Sequence, residues 1–266
     1  MLFTKNFAVS AVVAAGVSSA IAQSISSQCQ TTLVTLVTSP EAQCLSPETL
    51  AGLVVSSPNS SVVEPINNWL GNLCSQASCS NTTLATLVTN LTAGCQSDLQ
   101  SFGFSNNSLD EVIQIVQEVY PVARQVACLA DSSNNNTLCV TETLNNIQQA
   151  TGTLSIDNLE SLITQIMGGS LPSLNIPESA LCTDCTQAAF EILDQSFTSV
   201  VNQTSSTVSS VCGTGFTDGS MPPTVVETAN NSTASNAAMA LSASGPVFGV
   251  TLSSLAAVSV AFAVLA

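Results

Sequence analysis

CQTTLVTLVTSPEAQC, Cys29 to Cys44, and CSNTTLATLVTNLTAGC, Cys79 to Cys95, share an opening Cys, a TTL, a TLVT and a closing Cys. In the first, Leu33, Val34, Leu36 and Val37 gather on one helical face. In the second, Leu84, Leu87, Val88 and Leu91 do the same, and neither shows the alternation of a strand. Thr and Val are indifferent helix formers, because branching at Cβ restricts their rotamers against the preceding turn. Tertiary packing must therefore hold both segments in place.

The same logic extends outward. Cys74, Cys128 and Cys182 stand at equal intervals, each soon followed by a second Cys (Cys79, Cys139, Cys185) and then by an amphipathic run. This pattern reads as helical hairpins clipped at their turns. Helix starts agree with it. Ser46-Pro47-Glu48 sets a cap, a first-turn Pro and an acid before Leu50, Leu53 and Val54. Ser108-Leu109-Asp110-Glu111 forms a capping box that leads into Val112, Ile113, Val116 and Val119, with Pro121 expected to kink or end the helix. Asp157-Asn158-Leu159-Glu160 opens a run that Gly168-Gly169 should stop, and Thr183-Asp184-Cys185 opens a last long run through Ile192, Phe197 and Val200. Clear period-two stretches are few. The expected fold is all-α: a disulfide-stapled bundle of helical hairpins, followed by a disordered Ser/Thr-rich stalk.

All 10 cysteines, Cys29, Cys44, Cys74, Cys79, Cys95, Cys128, Cys139, Cys182, Cys185 and Cys212, fall in one central region. An even number in a secreted chain implies complete pairing, because the secretory pathway is oxidising, but the connectivity stays open. Their density is below that of scaffolds held by bridges alone, so apolar packing should carry most of the stability.

The two ends are apolar. Residues 1–22, MLFTKNFAVSAVVAAGVSSAIA, place Lys5 before an apolar run closing on Ala20-Ile21-Ala22, the pattern of a cleaved signal peptide. A signal anchor is the alternative, though the run is shorter than the roughly 20 residues a bilayer span needs. Residues 23–212 form the expected cysteine-rich ectodomain. Residues 213–236 are Gly, Pro, Ser, Thr and Asn without apolar period, a composition expected of an O-glycosylated stalk. Residues 237–266 end in VFGVTLSSLAAVSVAFAVLA with small residues upstream, which matches a glycosylphosphatidylinositol (GPI) attachment signal; Asn236 is the preferred attachment residue, with Ser235 and Asn231 as rivals. A retained membrane span is the other reading of this tail, but it lacks the Lys or Arg that usually follows one.

Asn-x-Ser/Thr acceptors for N-linked glycan stand at Asn59, Asn81, Asn90, Asn106, Asn135, Asn202, Asn230 and Asn231. The chain carries 17 Asp plus Glu against 2 Lys plus Arg, a net charge of -15. Loss of Lys5 with the signal leaves Arg124 as the only cation. Phosphate binding needs Lys and Arg to displace counterions, so a nucleic-acid partner is excluded. With no His, imidazole-dependent mechanisms have no base. Cys182-x-x-Cys185 resembles a redox pair but lacks the strand-to-helix setting that activates one, so structural disulfides are expected, with no metal and no cofactor. Paired carboxylates hydrolyse glycosides in other proteins, yet sugar clefts lean on aromatic platforms and this chain has few. Trp69 is expected as a core anchor packed on a disulfide, and Asp184, Glu191 and Asp194 as a solvated acidic stripe. No catalytic residue and no enzyme activity is expected.

Cys29-x14-Cys44, then LCSQASC (Cys74-x4-Cys79), then Cys79-x15-Cys95 resembles part of the elicitin pattern, that of small secreted helical sterol carriers, over Cys29 to Cys128. That resemblance implies the pairs Cys29–Cys95, Cys44–Cys79 and Cys74–Cys128 around an apolar cavity. The whole layout is similar to a family of fungal GPI-anchored, cysteine-rich surface proteins: signal, WLGNLC-x4-CSNTTL, a late LCTDCTQA, Ser/Thr stalk and lipid tail. It implies a cell-surface or cell-wall glycoprotein, outside the cell and held to the membrane by a lipid anchor, that acts structurally or through contacts with wall polysaccharide or other surface proteins. The alternative is an extracellular module that binds a small lipid or sterol.

Overall fold

The computed structural model describes residues 25–50, 57, 59–101, 109–156, 158, 176–201 and 205–230. Helices dominate it. The first, α1 (Ser27–Val37), is capped by the Ser26 hydroxyl, which accepts from the Cys29 N–H at 3.3 Å. Pro40 holds Ser39 in extended backbone and ends α1, and a 3-10 helix, Pro40–Leu45, follows. The Ser46-Pro47-Glu48 start yields one 3-10 turn, Pro47–Leu50; Leu53 and Val54 lie outside the described residues.

α2 (Val63–Ser75) buries Val63, Leu70, Leu73 and Cys74, and α3 (Asn81–Gly94) is capped by Ser80 on the Thr83 N–H at 3.1 Å. A short α4 (Gln96–Ser101) precedes α5 (Leu109–Ala127). Pro121 does not end α5, which continues for six residues to Ala127. The second half of the chain holds α6 (Cys139–Thr151), α7 (Glu178–Leu181), α8 (Asp184–Val201) and α9 (Ser205–Cys212). Gly152, at φ 94°, provides the left-handed backbone that stops α6. α8 is interrupted at Phe197, where φ is -134° and ψ 46°. Of the helix expected from Asp157 to Gly169 only Asn158 is among the described residues, and the Ser108 cap is not.

The expectation of a purely α fold is corrected by a small antiparallel sheet in the order β2-β1-β3. β1 (Leu129–Asp131) is buried throughout, and β2 (Thr137–Leu138) pairs Ala130 with Leu138. β3 (Val225–Glu227) pairs Ala130 with Val226 on the other side. Strands of two or three residues are too short to show a period.

β3 also corrects the stalk expected at 213–236. Residues 213–230 return to the domain: a 3-10 helix (Thr214–Thr217), the strand, and the bonds Ser132 N–H to Thr224 O (2.8 Å), Thr228 N–H to Cys128 O (2.9 Å) and Asn230 N–H to Cys74 O (2.8 Å). Main-chain pairing with β1, plus burial of Val225, orders a segment whose side chains give little apolar signal. Residues 231–236 lie outside the described residues.

Apolar packing is divided among small clusters. Leu129, Cys139, Cys185, Ala188, Ile192 and Val225 form one, Val62, Val63 and Leu154 a second, and Cys79, Leu84 and Tyr120 a third. Of the four apolar residues on each repeated segment only Leu36 and Leu84 are buried; the others are half-exposed. The face that the repeats predicted exists, and it is shallow.

Disulfides close what the shallow faces leave open. All ten cysteines are paired: Cys29–Cys95, Cys44–Cys79, Cys74–Cys128, Cys139–Cys185 and Cys182–Cys212. The first three are the pairs that the likeness to elicitins implies. Two of them, Cys29–Cys95 and Cys44–Cys79, join the first cysteine of one repeat to the last of the other, so α1 and α3 lie antiparallel with a bridge at each end. No bridge clips the turn between neighbouring helices, which corrects the hairpin reading; partners lie 30 to 66 residues apart. The bridges span ends between elements distant in sequence, where they remove the most chain entropy. Full pairing of this kind belongs to an oxidising compartment. Among the described residues no helix is long and apolar enough to cross a membrane.

Candidate functional site

Arg124 lies on the apolar face of α5, one turn beyond Tyr120 and two beyond Val116, and is 6 % exposed. Its guanidinium donates to Leu73 O at 2.8 Å, to Gln76 O at 2.6 Å and to Asn230 O at 3.4 Å. Leu73 and Gln76 belong to the C-terminal end of α2, where carbonyls lack helical partners and the helix dipole favours a cation. The charge is thus consumed inside the protein and does not face a phosphate ligand.

The same junction receives the returning chain. The Thr228 hydroxyl donates to Cys128 O at 2.7 Å, and Asn230 Nδ2 donates to Ser75 O at 2.9 Å. Residues 228–230 therefore strap both ends of the Cys74–Cys128 bridge. Close by along α5, the buried Tyr120 hydroxyl accepts from the Cys79 N–H at 2.9 Å, and burial raises its pKa.

Cys182 and Cys185 bond to different partners, Cys212 and Cys139, so they do not form a dithiol pair with each other. Among the described residues no group of three His, Cys, Asp or Glu side chains is placed to hold a metal ion. The acidic stripe on α8 is corrected at one position: Asp184 is exposed and accepts from the Thr224 hydroxyl at 2.6 Å, but Glu191 is only 5 % exposed and accepts from Gln195 at 3.2 Å. α8 is covered there because the returning strap comes over it, bringing Gly219 near the Glu191 carboxylate. Trp69 is half-buried instead of central, and its indole N–H reaches Leu45 O at 2.8 Å, beside Cys44 of the Cys44–Cys79 bridge.

Two surface grooves stand out among the described residues. One, of about 400 Å³, lies between α1 and α3 and carries Thr31, Thr32, Thr35, Leu36 and Glu41. The other, of about 270 Å³, is lined by Phe190, Asp194 and hydroxyl side chains of α9 and its neighbours. Each holds a single carboxylate, whereas glycoside hydrolysis uses two. Neither is the Leu- and Val-lined cavity that a lipid carrier would present.

The glycan acceptors Asn59, Asn81, Asn90, Asn135 and Asn230 are all exposed. Asn81 opens α3, Asn90 sits in its third turn, and Asn135 occupies a left-handed turn at φ 55°. Asn106, Asn202, Asn231 and the attachment residue Asn236 lie outside the described residues, as do the N-terminal signal and C-terminal tail. Of the buried polar features, Arg124 was traceable in the sequence through its spacing with Val116 and Tyr120; Glu191 and the strap gave no such signal. Comparison with protein-family models, curated proteins and solved structures found no match.

Proposed function

We propose that this chain is a secreted glycoprotein held on the fungal cell surface or wall by a GPI anchor, with a structural or contact role and no catalysis. The observation that carries the reading is the closed cysteine frame, in which all ten thiols are consumed as cross-links on a surface whose described glycan acceptors all face solvent. Arg124, the one basic side chain of the ectodomain, is spent on main-chain carbonyls, and the two grooves are open to solvent. Such a body suits display and contact better than turnover. Expression of the full chain in a secretory host should give protein on the cell surface that phosphatidylinositol-specific phospholipase C releases. Retention of all of it in the cytosol with free thiols would overturn the reading.

A small-lipid carrier is the second reading, and one observation favours it: the three N-terminal bridges follow the elicitin order. Lipid extraction and mass analysis of the secreted protein separates the two, since a carrier leaves the cell loaded.

A further inference from the structure

We propose that the groove between α1 and α3 is the bed for the first sugars of an N-linked glycan carried by Asn90 itself, an inference that rests on the glycoprotein reading. Asn90 is exposed, belongs to the acceptor triplet Asn90-Leu91-Thr92, and forms part of the groove wall. Asn59, Asn81, Asn135 and Asn230, the other exposed acceptors among the described residues, line neither groove.

The chemistry of the groove fits a sugar. The hydroxyl protons of Thr31, Thr32 and Thr35 are already committed to the carbonyls of Ser27 (2.9 Å), Gln28 (3.0 Å) and Thr31 (2.9 Å). Their oxygens keep lone pairs and so present acceptors, as does the exposed Glu41 carboxylate. A wall of acceptors matches a ligand rich in hydroxyl donors and repels anions. Between the hydroxyls, the threonine methyls and Leu36 offer an apolar floor for the C–H face and N-acetyl methyl of an amino sugar.

The groove is open and has no aromatic platform, so a free sugar would gain little there. Covalent attachment changes the balance, because a short tether raises the local concentration of the sugar to about the millimolar range without any new contact. The occupant best suited to a weak groove is one that cannot diffuse away. Placed there, the glycan bridges the middle of the α1–α3 pair, whose ends are already closed by Cys29–Cys95 and Cys44–Cys79.

The test uses the full chain secreted from a eukaryotic host, with site-by-site glycopeptide mass spectrometry. An endoglycosidase that cuts between the two core N-acetylglucosamines is then applied to the native protein. Glycan should be present at Asn90 and be released about tenfold more slowly than from Asn135, with the gap closing after reduction and denaturation. Thr35→Val with Glu41→Gln should bring the Asn90 rate up to that of Asn135 while leaving occupancy unchanged. If that variant is not secreted, Glu41→Gln alone carries the same comparison. An empty Asn90 beside a filled Asn135, or an Asn90 rate that ignores the groove substitutions, overturns the inference and leaves the glycoprotein reading standing. Secreted protein with no glycan at any acceptor overturns both.

Discussion

Between Cys29 and Cys128 the helices are locked by three bridges, two of which close opposite ends of the antiparallel α1–α3 pair. Beyond Cys128 two bridges accompany a denser apolar cluster, in which Ala188 and Leu129 are at most 1 % exposed, and a three-stranded sheet. In the first region α2 is well buried through Val63, Leu70 and Leu73, but α1 and α3 bury one apolar side chain each besides cysteine, Leu36 and Leu84, and that pair depends on covalent closure. The second depends on burial and main-chain pairing, with each well-buried Leu or Ile side chain contributing about 1.5 to 3 kcal/mol. What separates the α1–α3 pair from the second region is how its apolar residues are placed, on one shallow face per helix instead of around a shared centre.

Arg124 is where the regions meet, since it joins the end of α2 to the strap at Asn230. Arg124→Met keeps much of the side-chain volume but takes the guanidinium donor from the buried Leu73 carbonyl and from the carbonyls of Gln76 and Asn230, and bonds to charged groups are among the stronger ones. A loss of about 4 kcal/mol is expected, read by denaturant unfolding of the secreted protein. Limited proteolysis should show the 213–230 strap released first. If the strap stays protected, the joint lies elsewhere.

Bridge removal compares the regions directly. Replacing Cys29 and Cys95 together with Ser should cost about 3 kcal/mol, and replacing Cys182 and Cys212 should cost less, because the loop it closes is shorter: 30 residues against 66. The shallow faces of α1 widen that gap. Equal losses in thermal melts of the two variants would mean that α1 is better packed than its exposed residues suggest.

The repeated segments were legible because a helical face needs only three- and four-residue spacing, which local sequence records. Their cross-wise pairing was not, since 10 cysteines admit many connectivities and spacing alone cannot choose; the pairs came with the resemblance. β1 and β3 escaped because main-chain hydrogen bonds use atoms that every residue has, so SMPPTVVET carries almost no side-chain sign of the strand within it. Glu191 escaped for a related reason. Its helical position reads as solvent-facing until the strap crosses it, and the strap is set by a pairing 34 to 36 residues further on. Trp69 misled by size: a large ring beside Cys74 suggested the core, but its N–H is needed at Leu45 O, near the surface.

Gly94 sharpens the picture of the α1–α3 pair. A Cβ built there would overlap Thr32 Oγ1, whose hydroxyl is bonded to Gln28 O, and the neighbouring Cys95 fixes the separation of the helices. Because Thr32 Cβ is itself too near the added atom for a side-chain rotation to clear it, Gly94→Ala must push α1 away, with an expected loss of about 2 kcal/mol. Thr32→Ala in the same chain should recover part of it, the sign in thermal melts that the clash and not helix propensity is responsible. By propensity alone Ala would stabilise the helix, so an increase in stability would show that the two helices are not in contact at this point.

The smallest effect should come from Asp98, which secures the start of α1 from the far side of the pair. Its carboxylate accepts from the Ser26 hydroxyl at 2.6 Å and the Ser26 N–H at 2.7 Å, and the Ser26 hydroxyl bond is the leading cause that lowers its pKa. A group whose pKa is depressed by folding adds stability that is complete above its unfolded value, near 3.9, and is lost as the pH falls through the folded value. The contribution of Asp98 should therefore be constant at neutral pH and fade only in acid. Comparing wild type with Asp98→Asn by denaturant unfolding across this range isolates it: the difference between the two should be steady above pH 5 and shrink below about pH 4. A difference that persists in acid would mean that Asp98 acts through its shape and neutral bonds instead of its charge, whereas no difference at neutral pH would mean that the N-terminal end of α1 is held by Cys29–Cys95 and packing alone, making the α1–α3 pair still more dependent on its bridges.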